Sequence, residues 1–141
     1  MRDLRTTLST LWLFAVLNFV YCDVLTLYDH VFIKQSSSVQ YTQGFLLGAA
    51  VLVEIPMVMV VLSRVLKNPL NRWANLVAGG LMTVIQAATL FVATPTMYYA
   101  FFSVIEIATT AVIVRQAWKW IESAPVSSPT LTIPAAPSLP P

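Results

Sequence analysis

Charge is scarce in this chain: eight Lys or Arg and six Asp or Glu stand among 141 residues, against 57% hydrophobic residues and a mean hydropathy of +0.75. A water-soluble globule of this size needs more polar surface than that, so a soluble fold is excluded. The single Cys22 has no partner for an intrachain disulfide and reads as a buried, inert thiol. One His and one Cys are too few for a transition-metal constellation, so no metal is expected. Four glycines rule out a collagen-like chain, and the lack of a basic run argues against nucleic acid. No HExxH, GxSxG, phosphate loop or CxxC occurs, which leaves no named reaction and no cofactor and makes an enzyme the weakest of three classes. Paired acids support acid and base work only with a substrate between them, for which lipid or quinone chemistry stays open.

What is present is a set of long apolar runs. A hydrocarbon core roughly 30 Å thick takes about 20 residues at about 1.5 Å each. Four stretches meet that length, at Leu8–Tyr28, Gly44–Leu66, Trp73–Ala93 and Met97–Trp118. They predict an all-α fold, a four-transmembrane-helix bundle over residues 1–122. The first connection, Asp29–Gln43, carries Ser36, Ser37, Ser38, Gln40 and Gln43 and reads as a polar loop. Lys67–Arg72 contains Asn68-Pro69, read as a helix stop, and Thr94-Pro95-Thr96 is tighter still. Short connections make consecutive helices antiparallel neighbours. After Glu122, residues 123–141 are rich in Ser, Thr, Ala and Pro without charge, which predicts a disordered cytoplasmic tail. Its Pro134–Pro137 spacing lacks the basic flank of a docking ligand.

Direction follows from the cations. Arg2, Arg5, Arg64, Lys67, Arg72, Arg115 and Lys119 share one side of four alternating spans, and only Lys34 falls opposite. Both termini are therefore expected in the cytoplasm. Trp12, Trp73, Trp118 and Trp120 lie at or near the basic boundary, while Tyr28, Tyr41, Tyr98 and Tyr99 mark the other. The bias is too strong for dual-topology insertion. Arg2 and Arg5 before an apolar run suggest a signal peptide, but small residues at a cleavage site are missing, so the first span is expected to stay.

The informative residues are charges inside the spans. Asp23, Glu54 and Glu106, with Asn18 and Gln86, lie where ionisable groups cost roughly 2.5–3.5 kcal/mol on insertion scales and tend to face an interior or a water-filled cavity. Glu54 is ten residues below Gly44 and Glu106 nine below Met97, roughly 14–15 Å down and level with each other. Asn18 has similar depth, and Asp23 and Gln86 lie about two turns from the surface. Arg64 and Arg115 are nine or ten residues from these acids and should snorkel to the interface. Each carboxyl must then be protonated, hydrated, or paired with a cation from outside.

Helical phase orders the polar residues. Tyr99, Ser103, Glu106 and Thr110 form one stripe on the fourth helix, and Asn75, Gly79, Thr83, Gln86 and Thr89 another on the third. Asp23, Thr26 and His30 share a face of the first, where His30 offers a proton relay to Asp23 or an ordinary interfacial histidine. Pro56 beside Glu54 removes a backbone donor and frees the Leu52 carbonyl, the setting of a kink. Gly44 and Gly48 form a GxxxG that serves either packing within the bundle or a homo-oligomer. Val53-Glu54-Ile55 and Ile105-Glu106-Ile107, each followed by a Lys thirteen residues after the Glu, hint at two like hairpins.

At Leu8-Ser9-Thr10-Leu11-Trp12, Asp23-Val24-Leu25, Gly44-Phe45-Leu46-Leu47-Gly48, Glu54-Ile55-Pro56, Asn71-Arg72-Trp73-Ala74-Asn75 and Tyr98-Tyr99-Ala100-Phe101-Phe102-Ser103 the chain resembles a family of small bacterial four-helix membrane proteins, a domain of unknown function. The resemblance spans roughly Leu4 to Trp120 and implies a multi-pass protein of the bacterial inner (plasma) membrane, with no activity to carry over. Two expectations result. One is a cavity lined by Asn18, Asp23, Glu54, Gln86 and Glu106, with Thr26, His30, Tyr99, Ser103 and Thr110 around it, that binds or transports a proton, a cation or a small cationic solute. The other is a structural or accessory subunit whose polar residues serve helix packing.

Overall fold

The computed structural model describes residues 2–33, 42–92 and 95–120. Four α-helices account for nearly all of them: α1 Arg2–Tyr28, α2 Gln43–Val65, α3 Asn68–Val92 and α4 Met97–Lys119, with a π-helical turn Asp29–Ile33 continuing α1. Each α-helix is long and apolar enough to cross a membrane. The four-span reading therefore holds, with shifted ends. α1 starts six residues before Leu8, and Asp29–Ile33, expected as loop, prolongs the helix by a wider turn. Asn68-Pro69 opens α3 instead of closing α2. A proline is welcome in a first turn because its missing N–H has no helical acceptor there, so only Leu66 and Lys67 separate the two helices. Thr96, extended at φ −66°, ψ 157°, leads into α4 without a side-chain cap bond. Lys34, the Ser36–Ser38 run, Tyr41, Thr94 and the tail 123–141 lie outside the described residues.

The packing order around the bundle is α2, α1, α4, α3. α3 with α4, α1 with α2 and α1 with α4 form long seams, whereas α2 and α3 meet least, and α1 faces α3 across the diagonal. Gly79 sets the tightest approach: a Cβ there would stand 2.9 Å from the Val114 methyl of α4, while Gly80 next to it meets open space. The apolar core gathers toward the basic end, around Leu8, Trp12, Ala15, Met59, Ala78, Met82 and Ile113. Toward the other end α2 is bare, with every described side chain from Thr42 to Val51 exposed. Among the described residues, nothing lies within 4 Å of a Cβ built at Gly44 or Gly48.

A buried polar network holds the basic half together. Asn75 on α3 accepts from Trp12 Nε1 of α1 at 2.7 Å and from Ser63 Oγ of α2 at 3.3 Å, and its own amide donates to Asn71 Oδ1 at 2.7 Å. Asn71 donates in turn to the Ser63 carbonyl at 2.7 Å. One turn outward, Ser9 donates to the Val60 carbonyl and accepts from Arg64 Nε, and Arg5 donates to Asn68 Oδ1. Trp12 is thus fully buried and not a belt residue, whereas Trp73 and Trp118 are exposed as a belt requires. Arg64, expected to snorkel, keeps an exposed side chain but is tied to Ser9.

Replacing Asn75 by Ala strands the indole N–H of Trp12 and the Asn71 amide oxygen in the interior. An expected loss of about 1–3 kcal/mol follows from leaving buried donors and acceptors unmade. Thermal unfolding in detergent, read by a thiol-reactive dye on the buried Cys22, checks it.

Candidate functional site

Midway along the bundle the polar stripe of α4 turns inward. Ser103, Glu106 and Thr110 are at most 1% exposed, at the i, i+3, i+7 spacing that keeps them on one helix face. The α3 stripe meets it across the tight seam. Gln86 Nε2 donates to Ser103 Oγ at 3.0 Å, and Thr83 Oγ1 donates to Thr110 Oγ1 at 2.8 Å. Thr110 also returns a bond to the Glu106 carbonyl at 2.9 Å. Its neighbours are therefore satisfied, but the Glu106 carboxyl is not: neither Oε1 nor Oε2 has a hydrogen-bond partner among the described residues. Cys22, buried, and Asp23, exposed, belong to α1, which packs against α4.

The other candidates divide by position. Asp23 and Glu106 lie on adjoining helices at neighbouring levels. Thr26 donates to the Cys22 carbonyl at 2.8 Å, and His30 Nδ1 lies 3.0 Å from the Thr26 carbonyl, so both are engaged with their own helix. Asn18, half-buried, donates to the Phe14 carbonyl at 2.9 Å and, among the described residues, makes no bond across the bundle. Tyr99 is half-buried at the far end of the α4 stripe. Glu54 stands apart. It is exposed, and with Val51, Ile55, Val58 and Met59 it lines an open groove on α2 of about 340 Å³. α2 and α4 are not adjacent, so the two glutamates share a depth without sharing a pocket. The Glu-containing repeat of α2 and α4 therefore does not translate into equivalent environments. Pro56, fully buried, is accommodated inside an unbroken α2. Among the described residues no group of three His, Cys, Asp or Glu could hold a metal ion.

The residues missed from sequence are Ser9, Ser63 and Asn71. For Asn71 a signal was present in Asn68, Asn71 and Asn75, which recur at i, i+3, i+7, but the first two fell where a loop was expected.

A buried carboxyl with no donor opposes folding, because burial withdraws its hydration without replacing it. Glu106→Met, which keeps the volume and removes the polar head, is therefore expected to raise thermal stability by about 1–3 kcal/mol. Ser103→Ala, which strips Gln86 of its acceptor, is expected to lower it by about 1 kcal/mol. Paired melting curves in one detergent distinguish these signs.

Residues 2–127 match a family described as a family of unknown function, DUF6326. No curated protein and no solved structure matches the chain.

Proposed function

We propose, for a chain that belongs to this family of unknown function, that it is a multi-pass protein of the bacterial plasma membrane which binds and moves a proton or small cation through Glu106. The observation that carries the reading is the pair of Glu106 carboxyl oxygens, buried near mid-span with no hydrogen-bond donor. In a low-dielectric interior such a carboxyl either holds a proton or meets a cation, and exchange between the two is the elementary step of coupled transport. Among the described residues the Glu106 carboxyl has no cationic partner. Arg115, the nearest on α4, is nine residues along, roughly 13.5 Å. The neutralising charge must then come from outside the protein. Asp23, exposed on α1, supplies a second acid on the way out, and Gln86, Ser103 and Thr110 hold the surrounding wall in place. The cation-rich ends of the helices support cytoplasmic termini.

In proteoliposomes with an encapsulated pH dye, an imposed gradient of Na⁺ or tetramethylammonium is expected to drive proton flux. Glu106→Gln should reduce that flux to the rate of empty vesicles, while Glu54→Gln, distant from the pocket, should retain most of it. Flux indifferent to Glu106→Gln contradicts the proposal.

A second reading, an accessory subunit, rests on α2. Its outer half is bare, and Gly44 and Gly48 face open space. A second α2 packed across a GxxxG seam would cover that strip by close backbone approach. The homo-oligomer through Gly44 and Gly48 is accordingly proposed as the arrangement in the bilayer. Cross-linking through a cysteine placed at Leu47 should trap a dimer that Gly48→Leu abolishes; a monomer in both removes this reading.

A further inference from the structure

A groove unrelated to Glu106 runs along the outer side of the α3–α4 seam. It has a volume of about 490 Å³ and is lined by Gly80, Thr83, Val84, Ala111, Val114, Arg115, Trp118 and Lys119, almost entirely through apolar atoms. Three features give it direction. Its floor is open at Gly80, where a side chain would meet nothing within 4 Å, although Gly79 beside it is filled by Val114. The one hydroxyl among its lining residues, that of Thr83, is already held by the Gly79 carbonyl and Thr110. Its polar residues collect at one end, where Arg115, Trp118 and Lys119 are exposed on the last two turns of α4. Among the described residues no acidic side chain lines it, and neither cation has an ion pair or hydrogen bond.

The geometry points to a binding site for an anionic phospholipid, one acyl chain lying in the groove and the phosphate held between Arg115 and Lys119. The length fits. From Ala111 to Lys119 is eight residues, roughly 12 Å of helix, against roughly 15 Å for the hydrocarbon of one leaflet. An occupant whose tail fills that stretch therefore places its head at the level of the cations. A basic pocket between helices at a membrane face is a lipid-headgroup setting, and the Trp118 ring suits the same boundary. A zwitterionic lipid carries a compensating cation and gains less from the pair. A second copy of the chain docked here about a two-fold axis would bring Arg115 and Lys119 against their own like, which disfavours it.

Native mass spectrometry of the full chain, released from nanodiscs of equal phosphatidylglycerol and phosphatidylcholine, tests this. One phosphatidylglycerol should be retained over phosphatidylcholine, with the preference falling about fivefold for each cation removed in Arg115→Gln and Lys119→Gln. Gly80→Leu should fill the groove and abolish retention without lowering the melting temperature, because its side chain enters open space. If the cation variants fail to fold, Gly80→Leu decides alone. Equal retention of the two lipids, retention that survives Gly80→Leu, displacement of the lipid by inorganic phosphate, or a dimer that covers the groove would each overturn the assignment.

Discussion

The Asn75 side chain is the interaction on which the bundle depends. Helices in hydrocarbon gain little from burying apolar surface against one another, because lipid tails are equally apolar; association has to come from close packing and from polar bonds across helices. Asn75 supplies the second by accepting from α1 and α2 and donating within α3, so that one carboxamide reaches three of the four spans. Gly79, one turn further along α3, supplies the first by admitting Val114 of α4. A single face of α3 thus gathers the other three helices.

That concentration of bonds leaves the two ends of the molecule unlike. At the basic end, Ser9, Ser63, Asn71, Asn75 and Arg64 bond one another and the backbone around a fully buried indole. Beyond mid-span the helices carry few cross-links, and α2 is exposed at every described side chain from Thr42 to Val51. Glu106 sits between these regimes, close enough to the packed half to be excluded from solvent and beyond the reach of its donors. The polar groups that hold the fold and the acid that is left unsatisfied are therefore different sets, which separates scaffold from site along the bundle axis.

Depth was legible in the sequence, azimuth only in part. Counting residues from the helix ends puts Glu54 and Glu106 on one level, since the rise per residue is constant. The facing of Glu106 could also be read, because Ser103 and Thr110 recur with it and mark a polar side. α2 offers no such markers around Glu54, so nothing in its own pattern distinguishes an inward acid from an outward one. Trp12 misled for a related reason. An aromatic residue near the basic boundary usually sits in the headgroup belt, and only the earlier start of α1 at Arg2 carries it into the interior, where Asn75 can take its N–H. The Asn68-Pro69 pair likewise marks a boundary correctly but on the wrong helix. The preference of a residue before proline for extended geometry signals an end or a beginning, and the pair alone does not say which.

The loose seam between α2 and α3 has a directional consequence. The α2–α3 seam is the slightest of the four and is fastened at the basic end through Ser63, Asn71 and Asn75. Were the bundle set in a bilayer, as its four long apolar helices allow, an opening on that side would face laterally, and oil solubility would come before charge as the condition of admission.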